Sequence, residues 1–89
     1  MARTLLLADE IALPTTTGTA TSFAQATVVR LVNTSSDEAI ISVVETQSGT
    51  GVGTMTLLGN TTEYLEKQHA HCVFSSADTV RGAKVGFTV

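Results

Sequence analysis

Charge is scarce in this chain: Asp, Glu, Lys and Arg make up 15% of its 89 residues, where about 25% is usual for a soluble domain. The five basic residues stand singly and the net charge is −3, so there is no basic stripe to neutralise phosphates and a nucleic-acid partner is excluded. One cysteine, Cys72, excludes an intrachain disulfide framework. Aromatic residues are 4% of the chain and tryptophan is missing, which argues against the aromatic platforms of a sugar-binding module. The N-terminal apolar run, Leu5-Leu6-Leu7, is stopped by Asp9 and Glu10. It is too short for a signal-peptide core or a membrane span, so synthesis in a cytoplasm without a membrane partner is expected. No long helical periodicity occurs anywhere.

What the chain has is short alternating segments rich in threonine and β-branched residues. Residues 27–33 set Val28, Arg30 and Val32 against Val29 and Leu31, and residues 39–46 set Ile41 and Val43 against Ile40 and Val44. Both read as strands covered on two faces. Ser35-Ser36-Asp37-Glu38 between them fits a four-residue hairpin loop. A glycine-rich turn over 47–53 leads to a strand at 54–58 with Met55 and Leu57 facing in, and Gly59-Asn60 reads as a two-residue turn. Residues 61–72 are ambiguous: Asn60 with Glu63 suggests a helix cap, whereas the turn and Thr61, Thr62 and Tyr64 favour the strand that we adopt. Val73-Phe74 forms a short strand, and 75–82 a turn. In the last segment Ala83, Val85, Phe87 and Val89 share one face, opposite Lys84 and Thr88. Such a terminal strand has to be tucked into a sheet or against a partner. Strands at this spacing predict an all-β fold, a small antiparallel β-sandwich or barrel over 25–89. Residues 1–24 hold Pro14 and the Thr15–Ser22 low-complexity stretch, and read as an extended Thr-rich N-terminal arm, mobile or laid across a neighbour. Removing that arm is expected to leave a folded body.

Few residues could carry chemistry. On an extended segment His69 and His71 would point outward together, opposite Ala70, Cys72 and Phe74. Two imidazoles do not close a metal site, which makes them weak metal candidates and solvent-facing or interface histidines first. Cys72 has no base on its own side of the strand and reads as a buried thiol. Gly49-x-Gly51-x-Gly53 lacks the lysine and helix of a phosphate loop. The eight carboxylates are dispersed, and Asn33-Thr34-Ser35 and Asn60-Thr61-Thr62 are chance sequons without a secretory segment. No catalytic residue and no cofactor are expected, and the chain is not read as an enzyme.

Residues 28–89, with "EYLEKQHAHCVFSSADTVRGAKVGFTV" at their end, resemble small β-structured virion structural proteins of tailed bacteriophages, particularly marine ones. A Glu-Lys strand, a short Ser/Ala/Asp/Thr connection and a terminal Lys-Val-Gly-Phe-Thr strand carry the resemblance, while His69 and His71 stand where Pro, Thr or Asp would be expected. The resemblance implies a capsid decoration or cement protein on the virion surface, bound to the major capsid protein and to itself as a homotrimer. Three copies would bring six histidine nitrogens together, as His-x-His does at the tips of some phage spikes. Leu5, Leu6, Leu7, Val85, Phe87 and Val89 are the expected self-association or capsid-contact residues. The alternatives are another virion component (tail, neck or fibre subunit) or a particle-displayed host- or carbohydrate-binding module.

Overall fold

The computed structural model describes residues 3–47 and 49–88. Their strands are β1 (Arg3–Leu6), β2 (Ile11–Ala12), β3 (Val28–Asn33), β4 (Ala39–Val44), β5 (Gly51–Leu57), β6 (Thr62–Glu66), β7 (Cys72–Ser75) and β8 (Val80–Thr88), with one 3-10 turn at Thr17–Thr19. Two antiparallel sheets form the sandwich. The first runs β1-β8-β3-β6, with β2 also on β8, and the second runs β5-β4-β7. Of residues 61–72, read as strand, Thr62–Glu66 form β6 while 67–71 are a turn-containing crossing, and the second sheet is the hairpin β4–β5 plus β7.

Strict alternation sets the core. Val29 and Leu31 from β3 and Val80 from β8 meet Ala39 and Ile41 from β4, Leu57 from β5 and Val73 from β7, all buried. Val28, Arg30 and Val32 turn to the outer side of their sheet and are only partly covered. On the outer side of the second sheet Val44 and Cys72 pack with Ala20 and Phe74.

Two connections differ from the hairpins read in the sequence. Residues 34–38 do not join paired strands: β3 pairs with β6 and β8, and β4 with β5 and β7. Nor does Gly59-Asn60 close a hairpin, since β5 and β6 lie in different sheets. Both segments are crossings between layers, and a third crossing follows β7. All three lie at one end of the sandwich and hold one another: Asn60 N–H donates to Ser35 O at 2.9 Å, Asn33 N–H to Thr61 O at 3.0 Å and Thr34 N–H to Thr79 O at 3.0 Å. Local turn chemistry reads alike in a hairpin and in a crossing, so composition alone could not separate them. Gly59 is required here by close approach, because a Cβ would collide with the backbone carbonyl of Ser36.

Residues 3–24, expected as an arm over a neighbour, lie on their own chain. Arg3–Leu6 pairs with β8 from Thr88 to Val85, and Ile11–Ala12 pairs with Gly82 and Arg81. Thr21 exchanges two backbone hydrogen bonds with Val73, and Pro14 O accepts from Ser75 N–H. The threonines bury little, but Leu13, Ala20 and Phe23 supply the apolar area that holds the segment down. Phe23 enters the core through a left-handed turn in which Phe23, Ala24 and Gln25 have φ of 55°, 54° and 59°. That conformation costs L-residues about 1–2 kcal/mol each. The ring is accommodated because residue 82 is glycine: a Cβ there would meet Phe23 Cζ at 2.7 Å and Leu13 Cδ1 at 2.9 Å.

Candidate interaction surfaces

Antiparallel pairing aligns residues from four strands on the outer side of the first sheet. Thr4 lies opposite Phe87 and Leu6 opposite Val85, while Arg30 pairs with Ala83 on one flank and with Tyr64 on the other. The rings of Tyr64 and Phe87 come together at 5.3 Å, tilted by 58°. Tyr64 Oη and Thr4 Oγ1 share a hydrogen bond of 3.2 Å. Glu10 and Arg30 form an ion pair at 3.4 Å that spans β8 at the level of Ala83. Leu6, Phe87 and Tyr64 are 70%, 49% and 46% exposed. The result is an apolar patch with a single ion pair at its side.

Of the contact residues read from the sequence, Leu6 and Phe87 therefore stand in one surface. Val85 lies on this same outer side, opposite Leu6, and is buried there by its own chain, outside the core cluster. Leu5 and Leu7 lie on the opposite side of the sheet: Leu5 pairs with Gly86, and Leu7 Cδ1 is 3.6 Å from the Cβ position of Gly86. Val89 lies outside the described residues. Tyr64 was missed as a patch member. Its strand was legible, but nothing local places β6 two strands from β8.

The histidines do not share a strand face, because β7 begins at Cys72 and residues 69–70 form a turn. His69 is exposed, whereas His71 is partly covered and its N–H donates to Gln68 O at 3.0 Å. No group of three or more His, Cys, Asp or Glu able to hold a metal occurs among the described residues. Cys72 is a buried thiol beside Ala20 and Val44.

Between the free edges of β5 and β6 the sandwich is open. The groove there has a volume of about 630 Å³ and an apolar floor of Ile41, Val43, Met55 and Leu65, with Gly53 in one wall and Lys67 and His71 at one end. Lys67 is buried, and its Nζ donates to three backbone carbonyls: Ala26 at 2.7 Å, Gln68 at 3.3 Å and His69 at 3.3 Å. It ties the crossing after β6 to the entry of β3, at the end of the sandwich away from the three other crossings.

Burial pushes the Lys67 ammonium below its ordinary pKa, opposed by the neighbouring Cys72. Unfolded lysine keeps its proton up to about pH 10.4, so above the folded-state pKa the unfolded chain holds more protons. Stability therefore rises with pH across that window. Tyr64, lowered first by its hydrogen bond to Thr4, acts in the same direction. Urea unfolding from pH 7 to pH 10 is expected to show this rise in both wild type and Tyr64→Phe, and a flatter profile in Lys67→Met. Lys67→Met is also expected to lose about 1–3 kcal/mol at pH 7, because three carbonyls lose their donor. An unchanged slope in Lys67→Met would refute the assignment.

Compared with protein families, curated proteins and solved structures, the chain has no significant match in any of the three.

Proposed function

We propose that the chain is a virion structural protein, a capsid decoration or cement protein of a tailed bacteriophage that binds the outer surface of the major capsid lattice and stabilises it. The sequence resemblance over residues 28–89 suggests this role, and the exposed Leu6–Tyr64–Phe87 patch is the observation that carries it. A soluble domain with this little charge gains by covering such a patch. A rigid sheet face meets a lattice without the ordering entropy that a mobile arm would lose. Repeated over many capsomers, individually weak contacts add as avidity.

The chain has one tyrosine and no tryptophan, so its intrinsic fluorescence reports Tyr64 alone. Titrating capsid shells that lack the protein is expected to saturate at a fixed ratio to the major capsid protein. Nitration of Tyr64 by tetranitromethane, read on its peptide by mass spectrometry, should fall as the shells fill. Leu6→Lys and Phe87→Lys are expected to weaken binding at least tenfold with the fold intact. Full-strength binding by both variants would remove the patch from the interface.

The exposed Tyr64–Phe87 pair also favours a second reading, a particle-displayed carbohydrate-binding module. The 58° tilt between the rings works against it, since it leaves no flat floor for a sugar to stack on.

A further inference from the structure

We infer that β5 is a homotypic docking edge: it pairs antiparallel with β5 of a second copy about a two-fold axis at Thr54, joining two three-stranded sheets into one of six. This contact is separate from the outer-face patch and does not depend on the capsid reading.

Sheet edges are normally guarded by charge, cover or shortness. The edge at β7 is covered by Thr21 and Pro14, β6 carries Glu63 and Glu66, and β1 is four residues long with Arg3 at its start. The edge at β5 is not charged, covered or short; its one irregularity is a bulge near its start, where the register with β4 shifts between Val43 and Val44 and leaves Val52 without a partner. The strand is seven residues long and, among the described residues, pairs with β4 alone. Residues 46–62 contain no charged side chain. In a chain of net charge −3, this is the stretch where two copies meet without repulsion.

The side chains of β5 are complementary to themselves. Pairing with β4 puts Gly53, Met55 and Leu57 on the core side and Thr54 and Thr56 on the outer side. With the axis at Thr54, Gly53 faces Met55 of the second copy, so a large side chain meets a residue that has none. A Cβ built at Gly51 or Gly53 finds nothing within 4 Å, so space is free at both. Gly53 lines the apolar groove, and Met55 of the second copy reaches into it over Gly53. On the outer side Thr54 meets Thr54, a favourable cross-strand pair. Moving the axis by one residue along the strand sets Gly53 opposite Gly53 or Met55 opposite Met55 and loses the large-to-small match. The interface is isologous and closes at two copies.

The test uses the full chain. Sedimentation velocity over a concentration series is expected to show a reversible dimer. Thr54→Lys, which puts two lysines together on the axis, is expected to weaken it at least 100-fold, as is Thr54→Glu. An equimolar mixture of the two is expected to recover a heterodimer to within about tenfold of wild type. Thr54 is exposed, so circular dichroism should confirm both variants folded. Hydrogen exchange on wild type provides a reading without mutation, since β5 amides not bonded to β4 should gain protection as concentration rises. A protein monomeric at every concentration would overturn the inference. So would an assembly that ignores Thr54→Lys but dissociates with Leu6→Lys.

Discussion

Replacing Asn33 by alanine is expected to lower the unfolding free energy by about 3–5 kcal/mol, more than any other single polar substitution in the chain. Asn33 is fully buried and all its side-chain hydrogen-bonding capacity is engaged. Its Nδ2 donates to Asp37 O at 2.8 Å and Leu57 O at 3.3 Å. Its Oδ1 accepts from Ser35 N–H at 3.1 Å and Thr79 Oγ1 at 3.0 Å. Those partners lie in two of the connections that cross between the sheets and at the end of β5, from which the third departs, so one side chain fastens the chain where it changes layer three times. Leaving buried partners unmatched costs about 1–3 kcal/mol each, and the four losses overlap. An 89-residue domain has roughly 4–13 kcal/mol in total, so Asn33→Ala should unfold at a far lower urea concentration with an unchanged m-value. Thr79→Ala, which deletes one of the four bonds, should lose about 1 kcal/mol. Equal effects from the two variants would show that the network is not cooperative.

The second large effect concerns the N-terminal segment. A chain starting at residue 25 is expected to lack a cooperative unfolding transition, the reverse of what composition alone suggests. The deletion removes Leu13, Ala20 and Phe23 from buried positions and strips β8 of its β1 and β2 partners. It also breaks the Thr21–Val73 and Pro14–Ser75 backbone bonds that cover β7. Above Gly82 a ring-sized hole would open into the core. The point variant Phe23→Ala isolates that part and should cost about 3–5 kcal/mol. A residue 25–89 fragment with a sharp calorimetric transition would show that these contacts are accessory.

How much of this was legible in the sequence depended on the range of the contact. Alternation is a local property, so the faces of β3 and β4, the inward Met55 and Leu57 and the shared face of Ala83, Val85 and Phe87 could all be read directly. Which face of β8 meets the core could not. In β8 the side facing the opposite sheet carries Val80 and Gly82, and a glycine in an apolar alternation looks like a gap unless Phe23, 59 residues away in sequence, is known to fill it. Asn33 reads as a surface turn residue or a sequon because its partners are up to 46 residues distant. Thr15–Ser22 looks like a free arm because the three residues that anchor the N-terminal segment are spread over 13–23, without periodicity. The histidine pair looked like a shared face only while β7 was extended back to residue 69. A three-carbonyl cradle for Lys67 has no sequence signature at all.

The proposed role predicts where the chain should be found, and the most direct test is its copy number in purified particles of the tailed phage to which that proposal assigns it. Quantitative mass spectrometry against the major capsid protein is expected to give a constant ratio across preparations. That ratio should be high enough to populate the whole lattice and should fall when Leu6 and Phe87 are replaced by lysine. A chain present in only a few copies per particle would place it in the tail or neck, and a chain absent from particles would contradict a virion role altogether.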